Sequence, residues 1–236
     1  MKKSVFHILI FLFLLQNLYS QPAPNGLTSY AEQNKKIFSS GMALYNSIQQ
    51  QLKSEGFNDT EFSLSIIFPE LLRYSEMADE IETITNKIIY RASPESEGFS
   101  IGYFQMKPIF AESIEIAIAK NSQLKNKYPE IDFSGTKNKR TERINRINRL
   151  RDLRTEYIYI QAFIEICTEK FDLTDENEET KIKLLATAYN SGFFYTRQQL
   201  ERISQKNAYP FGSDDAESKW NYAQLCYDFY SLTKAE

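Results

Sequence analysis

Glycine is scarce in this chain, at eight residues in 236, about half the usual share. Neither GxGxxG nor GxxxxGK[ST] occurs, so the glycine-cradled nucleotide-binding folds lose their basis. Histidine is scarcer: His7 is the only one. No apolar run is long enough to span a bilayer, because Val5 to Leu15 covers 11 residues where a transmembrane helix needs about 20. Lys2 and Lys3 precede that run, and a polar stretch from Gln16 ends on the small Ser20. The pattern is that of an export signal over residues 1–20, cleaved after Ser20, with an uncleaved N-terminal anchor as the alternative. No cysteine near this point suits lipid attachment. Cysteine is rare too, and Cys167 and Cys226 leave two readings open, one disulfide closing a long loop or two buried free thiols.

Cleavage removes two lysines and the histidine. The mature chain then has 216 residues, 26 basic and 31 acidic side chains, a net charge of −5 and no imidazole. Histidine-assisted Ser or Cys catalysis, His-containing zinc sites and histidine pH switching are excluded for that form. Acid–base chemistry falls to carboxylates, Tyr or Lys, and the expected location is the periplasm or the exterior. No metal and no organic cofactor is implied, and no membrane span remains.

Apolar residues make up 42% of the chain without low-complexity tracts, so a globular fold is expected, as one domain or a small pair with an ordinary core. Residues 21–56 read as a linker, Gln21 to Thr28, followed by a polar helix with Ile37, Met42, Leu44, Ile48 and Leu52 on one face, ending at Gly56. Residues 57–236 read as the main domain. Asn58, Asp59 or Thr60 caps an apolar element from Glu61 to Phe68, and Pro69 places Glu70 at a kink or on the first turn of a new helix. Arg91 to Gly98 reads as a loop, Pro108 to Ala119 as a helix begun by proline, and Asn121 to Asn138 as a polar excursion. Helical spacing then runs from Lys139 to Phe171 in one or two helices, from Thr180 to Tyr189 after an acidic turn, and from Ser218 to Leu232. Alternating strands and repeats are absent, so the expected fold class is mainly α.

Three segments are awkward for plain helix packing: IIFPELLRYS at 66–75, FSIGYFQMKPIFA at 99–111 and LLATAYNSG at 184–192. Between Glu61 and Phe194 they resemble, in order, the signature blocks of the lytic transglycosylase and goose-type lysozyme branch of the lysozyme-like superfamily. That pattern is a helix carrying a catalytic Glu, then GLMQxxPxTA, then AYNxG. Gly102, Gln105, Pro108 and Ala111 match the second block, and Ala188, Tyr189, Asn190 and Gly192 the third. Leu71 stands where the family usually has Ser.

The resemblance implies a lysozyme-like helical domain with a cleft, acting as a monomer on the glycan strands of bacterial peptidoglycan. It implies cleavage of the β-1,4 bond between N-acetylmuramic acid and N-acetylglucosamine, with Glu70 as the single acid and then base. The product is a 1,6-anhydromuramoyl end, made with help from the substrate's N-acetyl group. Gln105 and Gly102 are expected to line the cleft, Tyr189 to set its hydroxyl near the carboxyl and the N-acetyl group, and Asn190 to buttress that loop. Tyr103 is a candidate for stacking on a sugar face; Met106, kept with the substrate-binding set, and Phe104 read first as packing residues. Tyr189 as core and Gln105 as a buried structural amide are the bland alternatives.

A proton donor for the departing oxygen needs a carboxyl kept neutral by dry surroundings, and Ile66, Ile67, Phe68, Leu71 and Leu72 flank Glu70. The opposing reading is a surface carboxylate at a helix N-terminus, which the dipole keeps ionised. Water-using hydrolysis requires a second carboxylate, for which Glu76, Asp79, Glu80, Glu95 and Glu97 are candidates. A muramidase and a non-catalytic wall-binding or envelope-assembly protein of the same fold therefore stay open, the latter because of Leu71. The basic stretch from Lys137 to Arg154 carries Lys139, Arg140, Arg143, Arg146, Arg149 and Arg151 against Glu142 and Asp152. Export and a net charge of −5 weigh against nucleic acid, and the arginines three apart read as a solvated helix face over a stripe of Ile144, Ile147 and Leu150.

Overall fold

The computed structural model describes residues 26–76, 99–133, 135, 138–212, 215, 217 and 219–235, the side chain of Glu76 excepted. The expected signal at 1–20, most of the linker, the loop Arg91 to Gly98 and the carboxylates Asp79, Glu80, Glu95 and Glu97 lie outside the described residues. Among the described residues the chain is mainly α-helical, with no strand and two isolated bridges, Ile101 with Met106 and Tyr209 with Trp220. None of these helices is long and apolar enough to cross a membrane.

Proline and full burial shape the centre of the molecule. Every residue from Ser63 to Leu72 is buried, so this stretch has no solvent face. It is not one helix, because a proline ring clashes with the turn before it and lacks the amide to continue the ladder. Helix α3 (Glu61–Ile66) stops at Ile67, and α4 (Phe68–Glu76) restarts with Pro69 and Glu70 in its first turn, the Glu70 amide donating to the Ile67 carbonyl at 2.9 Å. Two helices precede them, α1 (Leu27–Gln33) and α2 (Lys35–Ser54). The expected linker therefore ends sooner than Thr28, with the Leu27 amide donating to Asp228 at 2.9 Å. The buried face of α2 is Gly41, Tyr45, Ile48 and Leu52, whereas the expected Ile37, Met42 and Leu44 are only partly buried. Gly41 explains the difference: a Cβ there would meet Leu72 of α4 at 2.6 Å, so α2 presents its smallest residue where it crosses α4.

Helix α5 (Pro108–Ala119) begins at its proline as expected. The polar excursion after it holds α6 (Ser122–Lys127), capped by the Asn121 side chain, and a 3-10 turn at Pro129–Ile131. The long helical pattern is two helices, α7 (Lys139–Arg149) and α8 (Leu153–Lys170), and Asp152 caps the second through Thr155 N at 2.9 Å. Helix α9 (Glu178–Ser191) follows. Then comes α10 (Arg197–Ile203), a short helix held by a reciprocal Thr196 and Gln199 capping box. The last helix, α11 (Tyr222–Ala235), starts later than Ser218 because Trp220 pairs its backbone with Tyr209. It closes on α3, α4 and α9, stacking Phe229 on Phe68 with ring centroids 3.6 Å apart and Tyr45 edge-on at 4.8 Å. Burying Phe68 alone contributes about 2–3 kcal/mol. Cys167 and Cys226 are both buried free thiols, and the Cys226 thiol donates to the Ile66 carbonyl at 3.3 Å.

The basic stretch is solvated only in part: Lys139, Arg140 and Arg151 are exposed, whereas Arg146 turns inward. Arg146 is 2% exposed and Glu142 8%; Arg146 meets Glu115 of α5 through two nitrogens, one at 2.8 Å, and Arg149 bridges Glu115 at 3.3 Å and Glu142. Tyr159 of α8 adds its hydroxyl to Glu115 at 2.6 Å. Ile147 and Leu150 are buried as expected, Ile144 only partly. Removing one member of a buried ion pair strands the other, at about 3–5 kcal/mol. Arg146→Ala is expected near the lower end, about 3 kcal/mol, because Arg149 still reaches Glu115; a urea unfolding midpoint measures it.

Candidate functional site

The sequence from Ile101 to Met106 folds on itself. Ile101 and Met106 exchange both backbone hydrogen bonds at 3.0 Å, which closes a four-residue turn. Two of its residues are left-handed, Gly102 at φ +76° and Gln105 at φ +51°. Glycine adopts that region freely, whereas glutamine does so only when its surroundings hold it there. Here they do. The Gln105 side chain donates to the Gly102 carbonyl at 2.9 Å, the Tyr103 and Phe104 amides donate to Glu156 at 3.0 and 2.9 Å, and the Tyr189 hydroxyl donates to the Phe104 carbonyl at 2.7 Å. Gly102 also fills a space no other residue fits: a Cβ would stand 2.2 Å from the Leu150 carbonyl oxygen and 2.4 Å from Glu156 Oε1.

This turn, the start of α4, the end of α9 and the segment around Pro210 enclose a cleft of about 430 Å³, a size typical of small-molecule sites. Glu70, Gln105, Met106, Tyr189 and Asn190 all line it. Gly102 and Tyr103 do not. Gly102 turns inward against Glu156, and the half-buried Tyr103 ring lies against Tyr74, with centroids 5.0 Å apart. Phe104 is fully buried and Met106 nearly so.

Glu70 is the one carboxyl lining the cleft among the described residues, and it is 4% exposed. Burial pushes its pKa up. The Arg73 charge, the Tyr222 hydroxyl and the Lys107 charge pull the other way without winning. A helix N-terminus favours the anion by about 0.3–1 kcal/mol, and in the first turn of α4 that is too little to offset desolvation. Arg73 Nη1 stands 3.3 Å from Glu70 Oε2 while the same guanidinium donates to the Pro210 carbonyl. Tyr222 of α11 comes near Glu70, yet neither its hydroxyl nor Glu70 Oε2 completes a well-aligned hydrogen bond with the described residues. Oε2 is itself wholly buried, with the Arg73 charge as its neighbour.

The Tyr189 hydroxyl donates its hydrogen to the Phe104 carbonyl, fixing the turn. It stays close enough for Glu70 and Glu156 to reinforce burial in raising its pKa. Its ring packs edge-on against Phe110 at 5.2 Å and Phe163 at 5.7 Å. Arg73, Lys107, Phe194 and Phe211 also line the cleft and were not singled out by the sequence. Arg73 had a signal, since three residues after Glu70 on one helix is contact spacing. Phe194 and Phe211 had none, and at 73% and 62% exposed they line the cleft with much of their rings facing solvent. Among the described residues no three His, Cys, Asp or Glu side chains gather as a metal site requires.

Comparison with protein-family models, curated proteins and solved structures finds no match for this chain.

Proposed function

We propose that this chain is an exported peptidoglycan lytic transglycosylase acting as a monomer, with Glu70 as its acid and then its base. The observation that carries the reading is a buried carboxyl, its pKa raised by desolvation, at a cleft shared with Gln105 and Tyr189. The three sequence blocks that resemble the transglycosylase and goose-type lysozyme branch supply exactly these groups from stretches far apart in the chain.

In this mechanism the Glu70 O–H gives its proton to the glycosidic oxygen as the bond from that oxygen to the muramoyl C1 breaks. The carboxylate so formed takes the proton of the same sugar's 6-hydroxyl as O6 bonds to C1. The substrate's N-acetyl group assists at C1, no water is consumed, and Glu70 ends protonated. Arg73 and Lys107 act in the interval when Glu70 is an anion, where an opposite charge at 3.3 Å offsets the desolvation that favours the neutral state before it. Burial raises the Glu70 pKa while the Arg73 and Lys107 charges lower it, so both the acid and the anion have support from the surroundings.

Purified sacculi digested with the protein, followed by mass spectrometry of the released muropeptides, test the reading. Fragments with 1,6-anhydro ends, lighter than reducing ends by one water, are expected. Reducing ends make the protein a muramidase, whose second carboxylate is then sought among Glu76, Asp79, Glu80, Glu95 and Glu97. Sacculi that bind protein and release nothing leave a wall-binding protein of the same architecture.

A further inference from the structure

We infer that Glu156 is a positioning residue of this cleft: its buried carboxyl, by gripping the Tyr103 and Phe104 amides, sets the turn that carries Gln105 and Met106 to the lining. In its bearing on turnover this rests on the function proposed above; in its bearing on the turn it does not.

Glu156 is in the first turn of α8 and wholly buried. Its two oxygens are used separately, Oε2 by the Tyr103 amide at 3.0 Å and Oε1 by the Phe104 amide at 2.9 Å. No ion pair joins it to a described residue. A buried carboxyl without a cation is costly, so its retention here calls for a role that a smaller or apolar side chain cannot fill. The turn shows that role. Consecutive amides pointing the same way need two acceptors side by side, and a carboxylate offers them in one plane. With Glu156 on one side and the Tyr189 hydroxyl on the Phe104 carbonyl on the other, Phe104 is held at both ends of its backbone, and Gln105 follows directly in its left-handed conformation. The Gly102 hydrogen faces Glu156 Oε1 and the Leu150 carbonyl because nothing larger fits.

The groups that face Glu156 are few. On its own helix Asp152 raises its pKa; from the turn the two amides lower it; from α9 Tyr189 feels its charge. Burial outweighs the amides, so Glu156 stays above the usual carboxylate range. Ionisation strengthens both amide bonds, since hydrogen bonds to a charged acceptor are the stronger kind.

The experiment compares the wild type with Glu156→Gln and Glu156→Asp by amide NMR and by steady-state release of fragments from sacculi. Glutamine keeps the shape but turns an NH2 group toward one of the two amides, and aspartate draws the acceptors back by about 1.5 Å. In the wild type the Tyr103 and Phe104 amide protons are expected to move downfield together as pH rises through one shared midpoint, and this titration is absent in Glu156→Gln. Both variants are expected to shift the Gln105 amide and to lower kcat by about 10- to 100-fold, the scale of a misplaced site, with KM changing less than 3-fold and a lowered thermal midpoint in Glu156→Gln, because one buried amide loses its acceptor. Tyr103 and Phe104 amides that titrate identically in Glu156→Gln, or a displaced turn with unchanged kcat, overturn the inference. A wild type that releases no fragments removes the proposed function instead, and the amide titration then decides whether Glu156 sets the turn.

Discussion

Glu70→Gln is expected to lower fragment release from sacculi by about 10²- to 10⁴-fold, the range that a single general acid–base group supplies, while sacculus binding persists. Glutamine is a close isostere of the protonated carboxyl, so the cleft keeps its shape and loses only the transferable proton. The pH dependence goes with it. Because burial raises the Glu70 pKa, the acid form survives to a higher pH than an ordinary glutamate allows, and wild-type turnover is expected to fall as pH rises through that raised value. Stability has the same direction. A carboxyl whose folded pKa exceeds its unfolded one contributes stability that is fully present below the unfolded pKa and is lost as pH rises through the folded one. Glu70→Gln does not titrate, so the thermal midpoint of the wild type is expected to drop relative to the variant across that window. A variant that releases fragments at the wild-type rate takes Glu70 out of the mechanism, and a flat difference in midpoint across pH shows a carboxyl that is not desolvated.

Much of the cleft was legible because its residues announce themselves locally. Pro108 fixes the start of α5, Pro69 forces a break that puts Glu70 on a first turn, and the helix bearing Ala188, Tyr189 and Asn190 has ordinary spacing. What stayed hidden is long-range. Glu156 follows Arg154 in a charged stretch and has the spelling of a surface residue; only the turn 52 and 53 residues earlier makes it a buried acceptor. Arg146 is hidden in the same way, since its partners Glu112 and Glu115 belong to α5. The start of α11 was misplaced because helical spacing extends back to Ser218, whereas the bridge between Tyr209 and Trp220 diverts the backbone first. Tertiary pairing overrides local pattern in each case, and charged or aromatic residues are where it does so, because their partners decide whether they face water.

A second large effect is expected at Gly102, and it separates two costs that are usually mixed. Gly102→Ala places a methyl 2.2 Å from the Leu150 carbonyl oxygen and 2.4 Å from Glu156 Oε1 at φ +76°. Neither neighbour is a free side-chain end: one is backbone, and the other is held by two amides. Gly56 is the control, with φ +94° and nothing within 4 Å of the added Cβ. Gly56→Ala therefore meets only the left-handed backbone cost, about 1–2 kcal/mol. Gly102→Ala adds the collision and the loss of the Glu156 hydrogen bonds, for about 4 kcal/mol or more in all, the range reached when a buried network is broken. Urea unfolding of the two variants measures the difference, and fragment release should collapse in Gly102→Ala and persist in Gly56→Ala. Equal losses in the two would mean that the turn yields without resistance, in which case neither Gln105 nor the cleft wall is held in place by what lies beneath it.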